Sequence, residues 1–155
     1  MKKVATVGPA TVLGLGNLLL GDDGVGVHAA RALVADGGLE DVVVQDVGTA
    51  LLDALPALEV AASLIVIDAM RGGGPAGTIY RLDGPDLERN PCIASLHGFD
   101  LPRTLALTRR TTVPEMIVFG VEPERIDWSL ELSPAVARAL PVLLDAVRRE
   151  IAARR

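Results

Sequence analysis

Five residues of this chain carry side chains that could do chemistry together: Asp22, Asp23, Asp46, Asp68 and His97. The carboxylates stand at the ends of apolar runs or in the turn that follows one, and His97 stands ahead of an amphipathic stretch. A set of carboxylates with an imidazole suits a borderline divalent metal such as nickel, zinc or iron, and it leaves positions open for a substrate. Each residue also has a plainer role. Asp22, shortly before Gly24, is a good helix N-cap, and we favour that over a ligand role; Asp23 is equally suited to capping. Asp68 could close a strand with a side-chain turn, yet an ionised carboxylate after a strongly apolar run is costly unless paired or metal-bound. His97, taken alone, reads as a structural histidine at a helix start, and His28 as packing or surface.

Other chemistries lose their support in turn. Gly14-x-Gly16 after a strand opens a dinucleotide fingerprint, but Leu19 holds the third glycine position. Two carboxylates also stand where a pyrophosphate needs the positive end of a helix, so a cation is the better guest. The chain has no phosphate loop, nucleophile elbow or H-E-x-x-H motif. A triad of Ser95, His97 and Asp68 lacks an elbow and an oxyanion hole. The single cysteine, Cys92, forms no intramolecular disulfide or thiolate cluster and fits a reducing cytoplasm.

These side chains need elements to bring them together. Short apolar runs alternate with amphipathic ones, the pattern of βαβ units. Thr11 to Leu15 reads as a strand leading through a glycine-rich turn into a helix over Gly24 to Ala35. Val42 to Val44 is a second strand, ending near Asp46. Thr49 is placed to cap a helix through Leu51 and Leu58, distorted at Pro56, and Ser63 to Ala69 is a third strand. Thr78 to Leu82 alternates like a half-buried edge strand, and a helix from near His97 to Thr108 precedes the strand Met116 to Val121. Ser133 and Pro134 cap a closing helix that runs to about Ala153. The loop Gly72 to Gly77 is either a closure over a substrate or a plain connection. The expected fold is a three-layer α/β/α sandwich with a mostly parallel five-stranded sheet, in which ligands bind outside the carboxyl ends of the strands.

The 155 residues, half of them hydrophobic, suffice for one domain over 1–155, with residues 1–10 an extension of unassigned role. Twenty acidic against 15 basic residues and 3% aromatics argue against nucleic acid and an anionic membrane as partners. No apolar stretch reads as a signal peptide or bilayer span.

The string Gly14-x-Gly16-Asn17-x-x-x-x-Asp22-Asp23-Gly24-x-Gly26 resembles the opening motif of the nickel-iron hydrogenase maturation endopeptidases. The resemblance continues through Asp46-x-Gly48-Thr49, Ile67-Asp68-Ala69, Ser95-x-His97-Gly98, Phe119-Gly120-Val121-x-Pro123 and Leu132-Ser133-Pro134-x-Val136, and so spans nearly the whole chain. It implies metal ligands at Asp23, Asp68 and His97, with Asp23 standing where the family often has glutamate. Asp46 and Asp22 would then stand behind those ligands and orient them, or Asp46 would act as a base. The implied activity is an aspartic-type endopeptidase that removes the C-terminal extension of a hydrogenase large-subunit precursor after nickel insertion. The nickel is supplied by that substrate; a monomer is expected because a large protein substrate must reach the site, and a cytoplasmic location because of the single cysteine. The competing functions are an independent metallohydrolase or aminopeptidase, and a non-enzymatic nickel-binding assembly factor.

Overall fold

The computed structural model describes residues 8–89 and 101–155. Five strands form one sheet: β1 (Ala10–Leu15), β2 (Val42–Gly48), β3 (Ser63–Ala69), β4 (Ile79–Asp83) and β5 (Glu115–Val121), in the order β2-β1-β3-β5-β4. The first, second, third and fifth run parallel, and β4 pairs antiparallel along the β5 edge. The helices are α1 (Val25–Asp36), α2 (Leu55–Val60), α3 (Gly84–Arg89), α4 (Leu101–Ala106) and α5 (Pro134–Ala152).

Period-two alternation sorts the strand residues onto two cores, because successive side chains leave a strand on opposite faces. Val12, Ile65, Ile67, Ile117 and Phe119 face α1 and α5, where Leu33, Leu143 and Val147 complete one core. Leu13, Leu64, Val66 and Val118 face the other way and meet Leu58 and Met70, with Leu105 packed against them. β3 is buried along its whole length because helices cover both faces of the sheet, which is why its sequence is a continuous apolar run rather than an alternating one. The architecture is the expected three-layer α/β/α sandwich, with the half-buried β4 at the edge.

Local readings need correction in four places. The helix expected through Leu51 and Leu58 divides into a 3-10 turn at Leu51–Ala54 and α2, with no side-chain cap at its start. Pro56 falls in the first turn of α2, where a missing N–H costs nothing, so it opens that helix instead of distorting it. The later helix is described over Leu101–Ala106 and ends before Thr108; its expected start near His97 lies outside the described residues. Ser133 does precede α5, but its hydroxyl donates to Asp22 and not to the helix. No described helix is long and apolar enough to cross a membrane.

Candidate active site

The carboxyl ends of β1, β2 and β3 lie side by side, since Gly14 pairs with both Asp46 and Ile67. Sheet register therefore brings Asp46 and Asp68 to the same edge from either side of β1. Asp23 reaches it through the 3-10 turn Gly21–Gly24 that follows β1 and lies against β3.

Glycines make that approach possible. A Cβ at Gly16, which has φ +134°, would stand 2.0 Å from the Asp23 carbonyl oxygen; one at Gly26 would stand 2.2 Å from the carbonyl oxygen of Ile67, the residue before Asp68. Such overlaps cannot be relieved by side-chain movement because both partners are backbone. The glycine pattern that resembles a phosphate-binding turn thus serves to seat α1 and the Asp23 turn directly on the ends of β1 and β3.

Asp23 is 4% exposed and Asp68 fully buried. One Asp23 oxygen accepts from the Asn17 backbone N–H at 3.1 Å, and the Asn17 side chain in turn accepts from the Leu19 N–H at 3.0 Å. Asp68 Oδ1 accepts from the Ala69 N–H at 2.8 Å. Sheet register and the 3-10 turn thus bring two carboxylates withdrawn from water to neighbouring strand ends, and burial of an ionised carboxylate is costly unless polar or charged groups compensate it. His97, the third expected ligand, lies outside the described residues, and among the described residues no group of three or more His, Cys, Asp or Glu is placed to hold a metal.

The remaining candidates have other contacts. Asp46 precedes a bulge, because Gly14 pairs with Asp46 and Leu15 with Gly48, leaving Val47 as the extra residue. A bulge re-aims the neighbouring side chain; the Asp46 carboxylate turns outward and pairs with Arg31 Nε at 2.8 Å. Asp22 does not cap α1, whose N-cap is Gly24 without a side-chain bond. Its carboxylate instead accepts from the Ser133 N–H (2.7 Å) and hydroxyl (2.8 Å) and from the Glu124 (2.9 Å) and Arg125 (3.2 Å) N–H groups. His28 is half-buried on α1, and burial first, then the nearby Arg31 charge, lower its pKa.

Sequence reasoning passed over Glu122. It is 6% exposed at the end of β5, where it accepts from the Gly72 N–H at 2.6 Å and the Tyr80 hydroxyl at 2.8 Å. Tyr80 accepts from the Gly74 N–H at 2.9 Å, and the Gly77 N–H donates to the Glu122 carbonyl. The glycine-rich segment 72–77 is therefore a pinned connection and not a free closure. The signal was available: Glu122 ends an apolar strand just as Asp46 and Asp68 do.

Comparison with known proteins gives the arrangement a context. A family model described as hydrogenase maturation protease matches residues 27–150. The hydrogenase expression/formation protein HupD of Rhodobacter capsulatus is 32% identical over 148 residues, covering 92% of this chain and 70% of the relative. Among solved structures, the hydrogenase maturating endopeptidase HybD from E. coli superposes with a TM-score of 0.75 at 28% identity, covering 90% of this chain and 89% of that one. The [NiFe] hydrogenase maturation protease HybD from Thermococcus kodakarensis gives a TM-score of 0.81 at 25% identity, over 92% and 99% of the two chains.

Proposed function

The chain belongs to the hydrogenase maturation protease family and is a hydrolase of the endopeptidase kind, and on that premise we propose that it removes the C-terminal extension of a nickel-iron hydrogenase large-subunit precursor once nickel has been inserted. In this reading Asp23, Asp68 and His97 hold the nickel that arrives with the substrate. Nickel is thus cargo to be checked and not a resident cofactor, and the enzyme works as a cytoplasmic monomer.

The observation that supports the reading best is the convergence of Asp23 and Asp68, both buried, at one strand edge. A precursor whose nickel is held there has its scissile amide fixed beside two carboxylates, which converts an encounter into a positioned reaction. Water adds to the amide carbonyl, losing a proton to a carboxylate or activated by the nickel. The C–N bond then breaks and the leaving amine takes up a proton. An empty precursor lacks the anchor, so cleavage reports that the cofactor is complete.

The test is the intact mass of the large subunit in source cells lacking this gene. The reading expects a subunit longer by a C-terminal peptide, trimmed when the wild-type gene is restored but not when Asp23→Asn is. A subunit of mature mass in the deletion strain, with no second maturation protease present, would overturn it.

A further inference from the structure

The only tryptophan of the chain is 80% exposed, although nothing in the fold requires a large aromatic side chain in water. Trp128 sits on the loop between β5 and α5. Asp22 clamps that loop at both ends, accepting from Glu124 and Arg125 where it leaves and from Ser133 where it returns. At its middle the loop pairs with the first motif: the Ser129 N–H donates to the Leu19 carbonyl at 3.0 Å, and the Gly21 N–H donates to the Ser129 carbonyl at 2.8 Å. Leu20 and Ser129, the paired residues, are half-buried, whereas their neighbours Leu19 (50%), Trp128 (80%) and Leu130 (62%) stand outward.

The outcome is an apolar surface held in place by backbone bonds and a buried carboxylate, attached to the turn that carries Asp23. Isolated exposed leucines need no explanation. A fixed tryptophan flanked by two leucines has the composition of a binding anchor, and its fixed backbone lowers the ordering cost of association. The exposed charged residues of the loop are mainly acidic: Glu124, Asp127 and Glu131 stand against Arg125, which lies 3.7 Å from Asp127. Such a surface complements apolar side chains flanked by lysine or arginine.

Building on the proposed function, we infer that Leu19, Trp128 and Leu130 form the docking surface for an apolar segment with basic flanks on the large-subunit precursor. Contact here places the precursor's body against the loop while its nickel reaches Asp23 and Asp68. The loop acts on binding and orientation; it takes no part in bond breaking.

A chain labelled with 5-fluorotryptophan carries a single fluorine probe at Trp128, visible against an unlabelled precursor. Adding nickel-loaded precursor is expected to shift and broaden that resonance, and to do so less for Asp127→Lys/Glu131→Lys. In cleavage assays Trp128→Ala/Leu130→Ala should raise KM by about tenfold or more, as truncation of an anchor does, and leave kcat within about twofold, the mark of lost uniform binding. An unmoved resonance together with an unchanged KM, while the wild-type chain still cuts the precursor, would overturn the docking surface and leave the protease reading intact. Failure of the wild-type chain to cut the loaded precursor would instead overturn the protease reading, and this partner with it.

Discussion

Asp22 and Ser133 are joined by two hydrogen bonds, one from the serine N–H at 2.7 Å and one from its hydroxyl at 2.8 Å, across 111 positions of sequence. The residue beside Asp23 is thereby the tie between the glycine-rich turn and the start of α5. A nearly fully buried carboxylate can be kept in a fold when several N–H and O–H groups converge on it, and Asp22 receives four such bonds.

Removing that carboxylate leaves four donors without their acceptor. We expect Asp22→Ala to destabilise the protein by about 3 kcal/mol and Ser133→Ala by about 1 kcal/mol. A double-mutant cycle from urea denaturation should show the pair coupled by about 1 kcal/mol or more. Additive effects would mean that the bond contributes nothing of its own.

Backbone contact at Gly26 gives a second expectation. Gly26→Ala drives a methyl group into the Ile67 carbonyl, so it should cost about 3 kcal/mol and displace the Asp23 turn. Gly84→Ala meets nothing within 4 Å and has no positive φ to strain, so it should change stability by less than about 1 kcal/mol. Thermal unfolding of the two variants compares them directly. Equal losses would contradict the packing role given to Gly26.

Much of this was readable in the sequence. Asp46 and Asp68 announced themselves because a carboxylate interrupts an apolar run, and the sheet class followed from runs too continuous for a one-sided sheet. Asp22 was misread as a cap because capping is judged from neighbours a few residues away, whereas its partners lie more than a hundred residues on. Glu122 shows the converse, since its local signal equalled that of Asp68 while its partners, Gly72 and Tyr80, are separated from it by 50 and 42 positions. Long-range pairing of polar groups leaves no periodicity to read.

Tyr80 is the only tyrosine, so its phenolate absorbance can be followed without ambiguity. Burial first, and then the bond it donates to Glu122, raise its pKa above the ordinary phenol value. Glu122→Gln removes the negative charge and should bring the titration down towards that value. A titration unmoved by the substitution would show that the carboxylate does not hold the phenol.

Acid stability should depend on Glu150. Its carboxylate bonds Arg81 Nε at 2.8 Å and Arg81 Nη2 at 2.7 Å and also pairs with Arg154, so that Arg81 above all lowers its pKa from 4.5 to about 2. A lowered folded-state pKa means the unfolded chain binds the proton first as pH falls. The stabilisation is thus complete above about pH 4.5 and drains away between there and about pH 2. Glu150→Gln should cost about 2 kcal/mol at neutral pH and flatten the stability profile across that window. A wild-type profile already flat there would contradict the pairing.

The most direct test of the account is incubation of purified large-subunit precursor, nickel-loaded and nickel-free, with the wild-type chain and with Asp23→Asn, Asp68→Asn and His97→Asn, followed by intact mass. The account predicts loss of the C-terminal peptide only from the loaded precursor and only with the wild-type chain, each variant being slower by about a thousandfold or more while still folded. Equal trimming of both precursors, or trimming by the aspartate variants at the wild-type rate, would contradict it.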